Sequence, residues 1–573
     1  MTRNTDPIWL PQTQPRHSAY GPGFPLRDHG KATPLILASE MYPALEELAL
    51  GAKDTLFLAF RIFDPLTATR SKAAKALGLS NWLDILKHRV EAGVTVRLLL
   101  TDFEPSFAEP LHSGSWTSFQ LLRNMAATLP EASLERFEII VIPHVGELGW
   151  LARQIFRLPA GIAIRRVFAA FASKTPPEED PLAVRPGLWR YAQGERASPR
   201  YKSGPAPRLW PATHHHKFAV ADAKTAILGG LDVNERRWET PAYNQPAYDS
   251  WHDLSLQIEG PAAGDVAEHF RQLWNLELPR YRDITREWMT GADRKLTVEP
   301  LDTMPTPFPP APALGEATAK IQIARTLSRK NRHPLAFGPR KDVRELMAAH
   351  RKLILSARRL LYIEAQFFRS KRAARWIVEA AKRSPALQII IVLPQAPDEV
   401  AFGGETKNPA HQHGEWQQAR ALGLLRRKLG TRVGLYALGR QQPLTEKEKP
   451  LIATRGAAFG AGVIYIHAKL LIADDERALI SSANINNRSF NWDSELGCLW
   501  EEPSAVLAFR KRLWKQLIHK ELDPETAAQN WRDIANENIQ RDPQDRQGHI
   551  LPYRYARVRR FGRPSWFVPD DLV

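Results

Sequence analysis

The chain has 573 residues, 43% hydrophobic and 25% charged, with a formal net charge of +17. This is the composition of a soluble globular protein with room for two or more domains, and the charge points to anionic partners: phospholipid surfaces, nucleic acid or phosphorylated substrates. A single cysteine, Cys498, excludes an internal disulfide and a cysteine-based zinc site. No run approaches 18 apolar residues, so no spanning helix is expected, and the first 25 residues lack the apolar core of a secretory signal.

Residues 1–35, punctuated by Pro and Gly, read as an irregular arm. From residue 36 a βα rhythm sets in. "MYPALEELALGAKD" and "NWLDILKHRVEAG" carry helical periodicity, while "TLFLAFRIF", "VTVRLLLTDF" and "FEIIVIPH" read as strands. Two short strands follow, "KFAVAD" and "TAILGG", then the strand "WHDLSLQIEG" and the helix "PAAGDVAEHFRQLWNLEL" with Pro at its start. Residues 299–317, rich in proline, separate a first lobe (36–298) from a second (318–520). There the rhythm repeats, through "KIQIARTL", "KDVRELMAAHRKLILSARR", "LLYIEAQFF", "KRAARWIVEAAKRS" and "LQIIIVLP" to "VIYIHAKLLIAD" and "ALISSANIN". Residues 521–573 form a polar C-terminal extension. Strands alternating with helices predict an α/β sandwich with a mixed sheet in each half.

The repeat is also chemical. H-x-K followed by four residues and Asp occurs at His215, Lys217 and Asp222, and again at His467, Lys469 and Asp474. Seventeen residues beyond each histidine stand Asp232, in "GGLD", and Asn484, in "SSAN". The separation of the copies indicates duplication of a whole domain rather than a solenoid repeat. Of the histidines in "HHHK", only His215 has a counterpart. His214 and His216 are expected on the opposite strand face and at a pocket edge or surface. A zinc reading of the cluster is disfavoured, since no carboxylate–histidine set beside it supplies a closed site.

Side chains alternate along a strand, so each histidine and its lysine point the same way. Two lobes face to face would set two imidazoles and two ammonium groups around one anion, an arrangement that suits a phosphodiester. The lysines and Asn484 would hold the non-bridging oxygens, with Asp232, Gly230 and Ser482 binding or supporting the phosphate. One histidine can attack phosphorus while the other protonates the departing alcohol. Each imidazole then needs a carboxylate on its second nitrogen, and Asp253 in "WHDL" and Glu495 in "DSELG" are the candidates. Asp222 and Asp474 are expected to brace their own lysines and strand ends. No metal and no cofactor is called for.

With "HHHKFAVAD", "AILGGLDVNERRWET", "WHDLSLQIEGPAAGDVAEHFRQLWN", "LLYIEAQFF" and "YIHAKLLIADD…SSANINNRSFNWDSELG" in order, the chain resembles the phospholipase D superfamily, and within it the eukaryotic-like phospholipases D. The resemblance covers roughly residues 40–520. It implies a duplicated fold of two pseudo-symmetric lobes sharing one site without a catalytic metal, with His215 as nucleophile and His467 as general acid. Two positions depart from the pattern: Ser481 stands where Gly is usual, and Ala365 where Asn is usual. One segment, 146–174, has no counterpart in these blocks. It mixes aromatic residues with Arg153, Arg157, Arg165 and Arg166, so it reads either as a membrane-interface element or as amphipathic helices packed on the core.

The expected activity is phospholipase D hydrolysis to phosphatidic acid and a head-group alcohol, with head-group exchange when another alcohol replaces water. A cardiolipin-synthase-like phosphatidyltransferase is the alternative, and a nuclease is a more distant one. The expected partner is a phospholipid surface, with anionic lipid favoured and no obligatory nucleic acid. Both motifs lie in one chain, which suggests a monomer. The expected location is cytoplasmic with peripheral membrane association. Signal-independent export, as by type VI secretion, with its machinery and an immunity partner, is the alternative.

Overall fold

The structure is a computed structural model that describes residues 8–13, 18, 20–173, 179–290, 294, 296, 301–404, 407–566 and 568–573. The first lobe is built on seven strands: β1 (Arg27–Ile36), β2 (Thr55–Phe60), β3 (Thr95–Thr101), β4 (Phe137–Ile142), β5 (Lys217–Ala221), β6 (Thr225–Gly229) and β7 (Leu254–Glu259). Their order across the sheet is β4-β3-β2-β5-β6-β7-β1. The second lobe repeats this with β8 (Ala319–Arg329), β9 (Leu360–Ala365), β10 (Gln388–Val392), β11 (Val433–Pro443), β12 (Lys469–Ala473), β13 (Arg477–Ser481) and β14 (Glu495–Glu501). Its order is β11-β10-β9-β12-β13-β14-β8. In each sheet three strands run parallel and the rest antiparallel, so the class is a duplicated α/β fold with a mixed sheet per lobe.

The parallel strands, such as TLFLAF, are almost wholly apolar because helices bury both their faces. Equivalent helices flank the two sheets. α1 (Ala38–Gly51) follows β1 and α5 (Glu345–Ser356) follows β8, while α4 (Pro261–Met289) follows β7 and α7 (Pro503–Ile518) follows β14. The remaining helices used below are α2 (Trp150–Ile155), α3 (Arg157–Ser173) and α6 (Lys371–Arg383). Ser370 caps α6 by accepting the Ala373 N–H at 3.2 Å. One hydrophobic core takes side chains from both lobes, Leu228 and Leu254 from the first and Ile480 and Cys498 from the second.

Two readings of the sequence are corrected here. Residues 27–35, expected to be irregular, form most of β1, which joins the sheets by pairing Arg27 with Ile321 and Gly30 with Ala319. Pro34 hid this strand from the pattern. It is tolerated because its end of β1 pairs on one side only, with Leu256. Helix α4 runs on through Pro279, the residue after the expected end. Asn275, one turn earlier, is anchored by its side chain, which accepts the Met304 N–H at 2.7 Å. The proline-rich stretch forms neither helix nor strand over 301–318; residues 299 and 300 lie outside the described residues.

The register sets the position of the motifs. Lys217 pairs with Phe60, at the C-terminal end of β2, and Lys469 pairs with Ala365, at the C-terminal end of β9. Open α/β sheets form ligand crevices at this edge, outside the carboxyl ends of their parallel strands.

Candidate active site

Each histidine lies just ahead of its motif strand, where the chain crosses to the other lobe. The His215 N–H donates to the Ser494 carbonyl at 2.8 Å, and the Ser494 N–H to the Thr213 carbonyl at 3.1 Å. In the second copy, Tyr465 and Ile466 pair in parallel with Trp251 and His252, and the His467 N–H donates to the His252 carbonyl at 2.8 Å. Backbone hydrogen bonds thus tie each motif to the opposite lobe. Both imidazoles face one cavity of about 390 Å³, which Asn484 and Gln366 also line.

The two candidate carboxylates reach the imidazoles across the same boundary. Glu495 Oε2, from the second lobe, accepts His215 Nδ1–H at 2.9 Å. Asp253 Oδ2, from the first, accepts His467 Nδ1–H at 2.6 Å. The Ser482 carbonyl is a second acceptor for His215 Nδ1, at 3.1 Å. With Nδ1 carrying the proton, the Nε2 lone pair of a neutral ring is left for the cavity.

The lysines are buried beside their histidines. Lys217 Nζ donates to the His215 carbonyl at 3.0 Å and lies 3.8 Å from Asp232 Oδ2. Lys469 Nζ donates to the His467 carbonyl and, at 3.4 Å, to Gln366 Oε1, which also accepts from Asn484 Nδ2 at 3.3 Å. The two +17 positions therefore differ in kind. Asn484 lines the cavity, whereas Asp232 is held by the Ile62 N–H at 2.9 Å and pairs with Lys217. A carboxylate there is suited to holding the lysine rather than touching an anion.

Burial is the first cause of every pKa displacement in the site. It holds His215 and His467 well below the ordinary imidazole range, and Lys217 and Lys469, respectively, push in the same direction. Burial brings Lys469 down to about 7 and lowers Lys217. It raises Asp253 and pushes Glu495 up to about 8. Both members of each imidazole–carboxylate pair are thus driven toward their uncharged forms, because a net charge there is poorly solvated.

Several expected roles are redirected by the geometry. Asp222 and Asp474 do not brace their lysines. Asp222 accepts the backbone N–H groups of Lys53, Asp54 and Thr55 at 2.8–2.9 Å. Asp474 does the same for Arg358, Arg359 and Leu360 at 2.7–3.0 Å. Seven extended residues separate each from its histidine, about 20 Å, so both fasten the far end of the sheet and stand outside the site. Gly230 is not among the residues that line the histidine cavity; a Cβ there would lie 2.0 Å from Asp253 Oδ1, so it makes room for that carboxylate. Ser482 supports through Glu495, to which its hydroxyl donates. Ser481 packs against Gly497, where a Cβ would lie 2.5 Å from the serine's own, so its side chain turns into the sheet and not into the cavity. His214 and His216 are both buried, neither at the surface. His214 lies 3.7 Å from Glu277 and His216 lies 3.2 Å from His269. Among the described residues no group of three or more His, Cys, Asp or Glu could hold a metal ion.

Other contributors escaped the sequence reading. Arg61, Arg237, Arg369 and Arg488 line the cavity, and among the described residues the buried Nε atoms of Arg61 and Arg369 have no hydrogen-bond partner. Arg237 stacks 3.5 Å from the Trp251 ring. His252, whose carbonyl anchors His467, is fixed by Glu364 at 2.8 Å and Tyr243 at 2.6 Å. Leu572 and Val573, from the C-terminal extension, also line the cavity. These residues lie far apart in sequence and share no spacing, so no local signal marks them.

A family model described as "Cardiolipin synthase, PLD-like domain" matches residues 351–517. Phospholipase D1 of Mus musculus is 27% identical over 325 residues, covering 52% of this chain and 28% of its own. Phospholipase D gamma 3 of Arabidopsis thaliana is 24% identical over 486 residues, covering 62% of this chain and 54% of its own. The chain therefore spans roughly a quarter to a half of the length of these curated relatives. The crystal structure of phosphatidylserine synthase from Haemophilus influenzae Rd KW20 aligns with a TM-score of 0.44 and 14% identity, over 90% of this chain and 95% of that one. These sequence matches, with which the paired H-x-K-x4-D motifs are consistent, support the phospholipase D superfamily for this chain.

Proposed function

We propose that the protein is a phospholipase D, cleaving the distal phosphodiester bond of glycerophospholipids to phosphatidic acid and a head-group alcohol. The observation that carries the reading is one cavity lined by four arginines and faced by two histidines, each with its Nδ1–H on a buried carboxylate. His215 Nε2 attacks phosphorus as the bond to the head-group oxygen breaks, and His467, which takes up a proton on Nε2 when the anionic substrate binds, gives that oxygen this proton. His467 then takes a proton from water as the water oxygen attacks, the phosphorus–nitrogen bond breaks, and His215 is restored. Lys217, Lys469 and Asn484 counter the charge that builds on the non-bridging oxygens. The order of the histidines follows the family resemblance, and the second acceptor at His215 Nδ1 is in keeping with it.

The second reading, a phosphatidyltransferase that passes the phosphatidyl group to an alcohol, is favoured by the description of the family model matching 351–517. It uses the same first half-reaction. Incubation with mixed phospholipid vesicles and plasmid DNA in the presence and absence of glycerol, followed by mass analysis of the lipids and electrophoresis of the DNA, tests both. Phosphatidic acid with free choline or ethanolamine supports hydrolysis. Products carrying a new head group, without phosphatidic acid, support transfer. Nicking of DNA with no change in lipid would overturn both.

A further inference from the structure

Helices α2 and α3 lie between β4 and β5 of the first lobe, where the corresponding interval of the second, between β11 and β12, has among the described residues no α-helix longer than the four-residue Leu451–Thr454. Pro159 lacks the N–H that would bond the Ile155 carbonyl, and the helix breaks at Phe156. The inner face of α3, with Ile164, Phe168 and Phe171, packs on Leu182, Leu188 and Trp189. The outer face is also apolar. Trp150 is 59% exposed, Ile155 62%, Leu158 78% and Ile162 53%. Packing onto the core thus accounts for one side of the segment and leaves the other bare.

Three further observations bear on that bare side. First, the second lobe extends it. The Gly149 N–H donates to the Ala336 carbonyl at 2.7 Å and the Leu151 N–H to the Pro334 carbonyl at 2.9 Å, and Phe156 meets Phe337 edge to face. Leu335 and Phe337 are themselves 48% and 40% exposed. Second, every charge on both segments is positive: no Asp or Glu occurs between Glu147 and Glu178, or between Glu316 and Asp342. A cleft of about 600 Å³ beside α3 is lined by Arg157, Leu158, Ile162 and Arg165. Third, the surface lies at the edge of the sheet that carries the histidines. β4 runs parallel to β2, whose C-terminal Phe60 pairs with Lys217. The chain leaves β4 by way of His144, which bonds Ser494 Oγ at 3.0 Å, and then enters α2.

We infer that this two-lobed face docks on an anionic phospholipid bilayer, with the cavity of the paired histidines turned toward the membrane. The exposed apolar side chains enter the acyl boundary while Arg153, Arg157 and Arg166 meet lipid phosphates. The apolar ridge flanked by uninterrupted positive charge suits a bilayer better than a protein partner, whose interface would pair those arginines with acids. The purpose assigned to this face rests on a membrane lipid being the substrate; its binding does not.

The test uses the full chain with vesicles of phosphatidylcholine, with and without phosphatidylglycerol. Leu158→Glu/Ile162→Glu and Arg157→Glu/Arg166→Glu should each weaken co-sedimentation with the anionic vesicles by about tenfold or more. Turnover of a monomeric short-chain phospholipid should stay within about twofold, since surface changes away from a site usually have small effects. Because Cys498 is buried, Leu158→Cys can be labelled selectively with an environment-sensitive dye, whose emission should shift to the blue on vesicles. This readout stands even where a charge variant fails to fold. Unchanged sedimentation of folded charge variants, or unchanged emission of the label, overturns the inference. So does a dimer that the charge variants dissociate while vesicle binding persists, which would make the face a contact between copies. Vesicle binding through this face by a protein inactive on every lipid would keep the inference and remove the phospholipase reading. Activity on the short-chain lipid with sedimentation indifferent to these residues would do the reverse.

Discussion

Glu495 and His215 lie 2.9 Å apart although they come from different lobes, and Asp253 holds His467 in the mirrored way. Neither lobe contains both a motif histidine and the carboxylate that braces it. The site therefore exists only when the two halves are docked, which explains why the backbone also crosses at Thr213–Ser494 and His252–His467.

Crossed bracing predicts that Glu495→Gln and Asp253→Asn will lower kcat with little change in KM. Each amide can present its N–H to the imidazole and stabilise the wrong tautomer. The analogous change in a serine-protease triad costs about 10⁴-fold, and a loss of about 10³-fold or more is expected here. Steady-state kinetics on short-chain lipid checks it, and a loss confined to KM would argue against an orienting role.

The histidines should separate by leaving group. His467→Ala should fail on natural lipid yet form a phosphoenzyme from an activated aryl phosphodiester, whose departing oxygen needs no proton. That adduct should persist, because no base remains to activate water. His215→Ala should form none. Peptide mapping of acid-labile phosphate in the His467 variant is the measurement, and label on any residue but His215 defeats the assignment.

Gly230→Ala should reproduce much of the Asp253 defect without touching a catalytic group. The added methyl would lie 2.0 Å from Asp253 Oδ1, so the carboxylate must leave His467. Overpacking of this kind also costs about 1–3 kcal/mol of stability. Thermal unfolding and turnover measured together should show the variant folded but slow on natural lipid, with formation of the phosphoenzyme from an aryl phosphodiester less affected.

Anion binding should strengthen as pH falls. Burial sets Lys469 at about 7 and holds both imidazoles well below their usual range. An anion in the cavity favours the charged form of each, so binding takes up protons and affinity rises with acidity. Calorimetric titration with tungstate between pH 6 and 8 should therefore show tighter binding at the acid end, with proton uptake in buffers of differing ionisation enthalpy. Affinity that is flat or rises with pH would contradict this charge assignment.

Activity should survive EDTA, because the lysines and arginines around the cavity supply the positive charge that a metal would bring. Turnover abolished by chelator and restored by calcium or zinc would overturn that expectation.

The sequence by itself determined the elements and the chemistry. Strand and helix periodicities are local properties of the chain, and the equal spacing of His215, Lys217 and Asp232 with His467, Lys469 and Asn484 marked the residues of one divided site. It also offered Asp253 and Glu495, but not which histidine each would hold. That depends on how the lobes dock, which no spacing within one lobe encodes. Asp222 and Asp474 repeat as regularly as the lysines, and the expected bracing of strand ends holds, yet only the tertiary structure shows that they stand about 20 Å from the histidines and do not brace the lysines. The four arginines of the cavity and the one-sided pairing that admits Pro34 into β1 were likewise decided by tertiary structure. These roles arise from contacts between distant segments, where burial and desolvation, rather than residue order, determine what a side chain does.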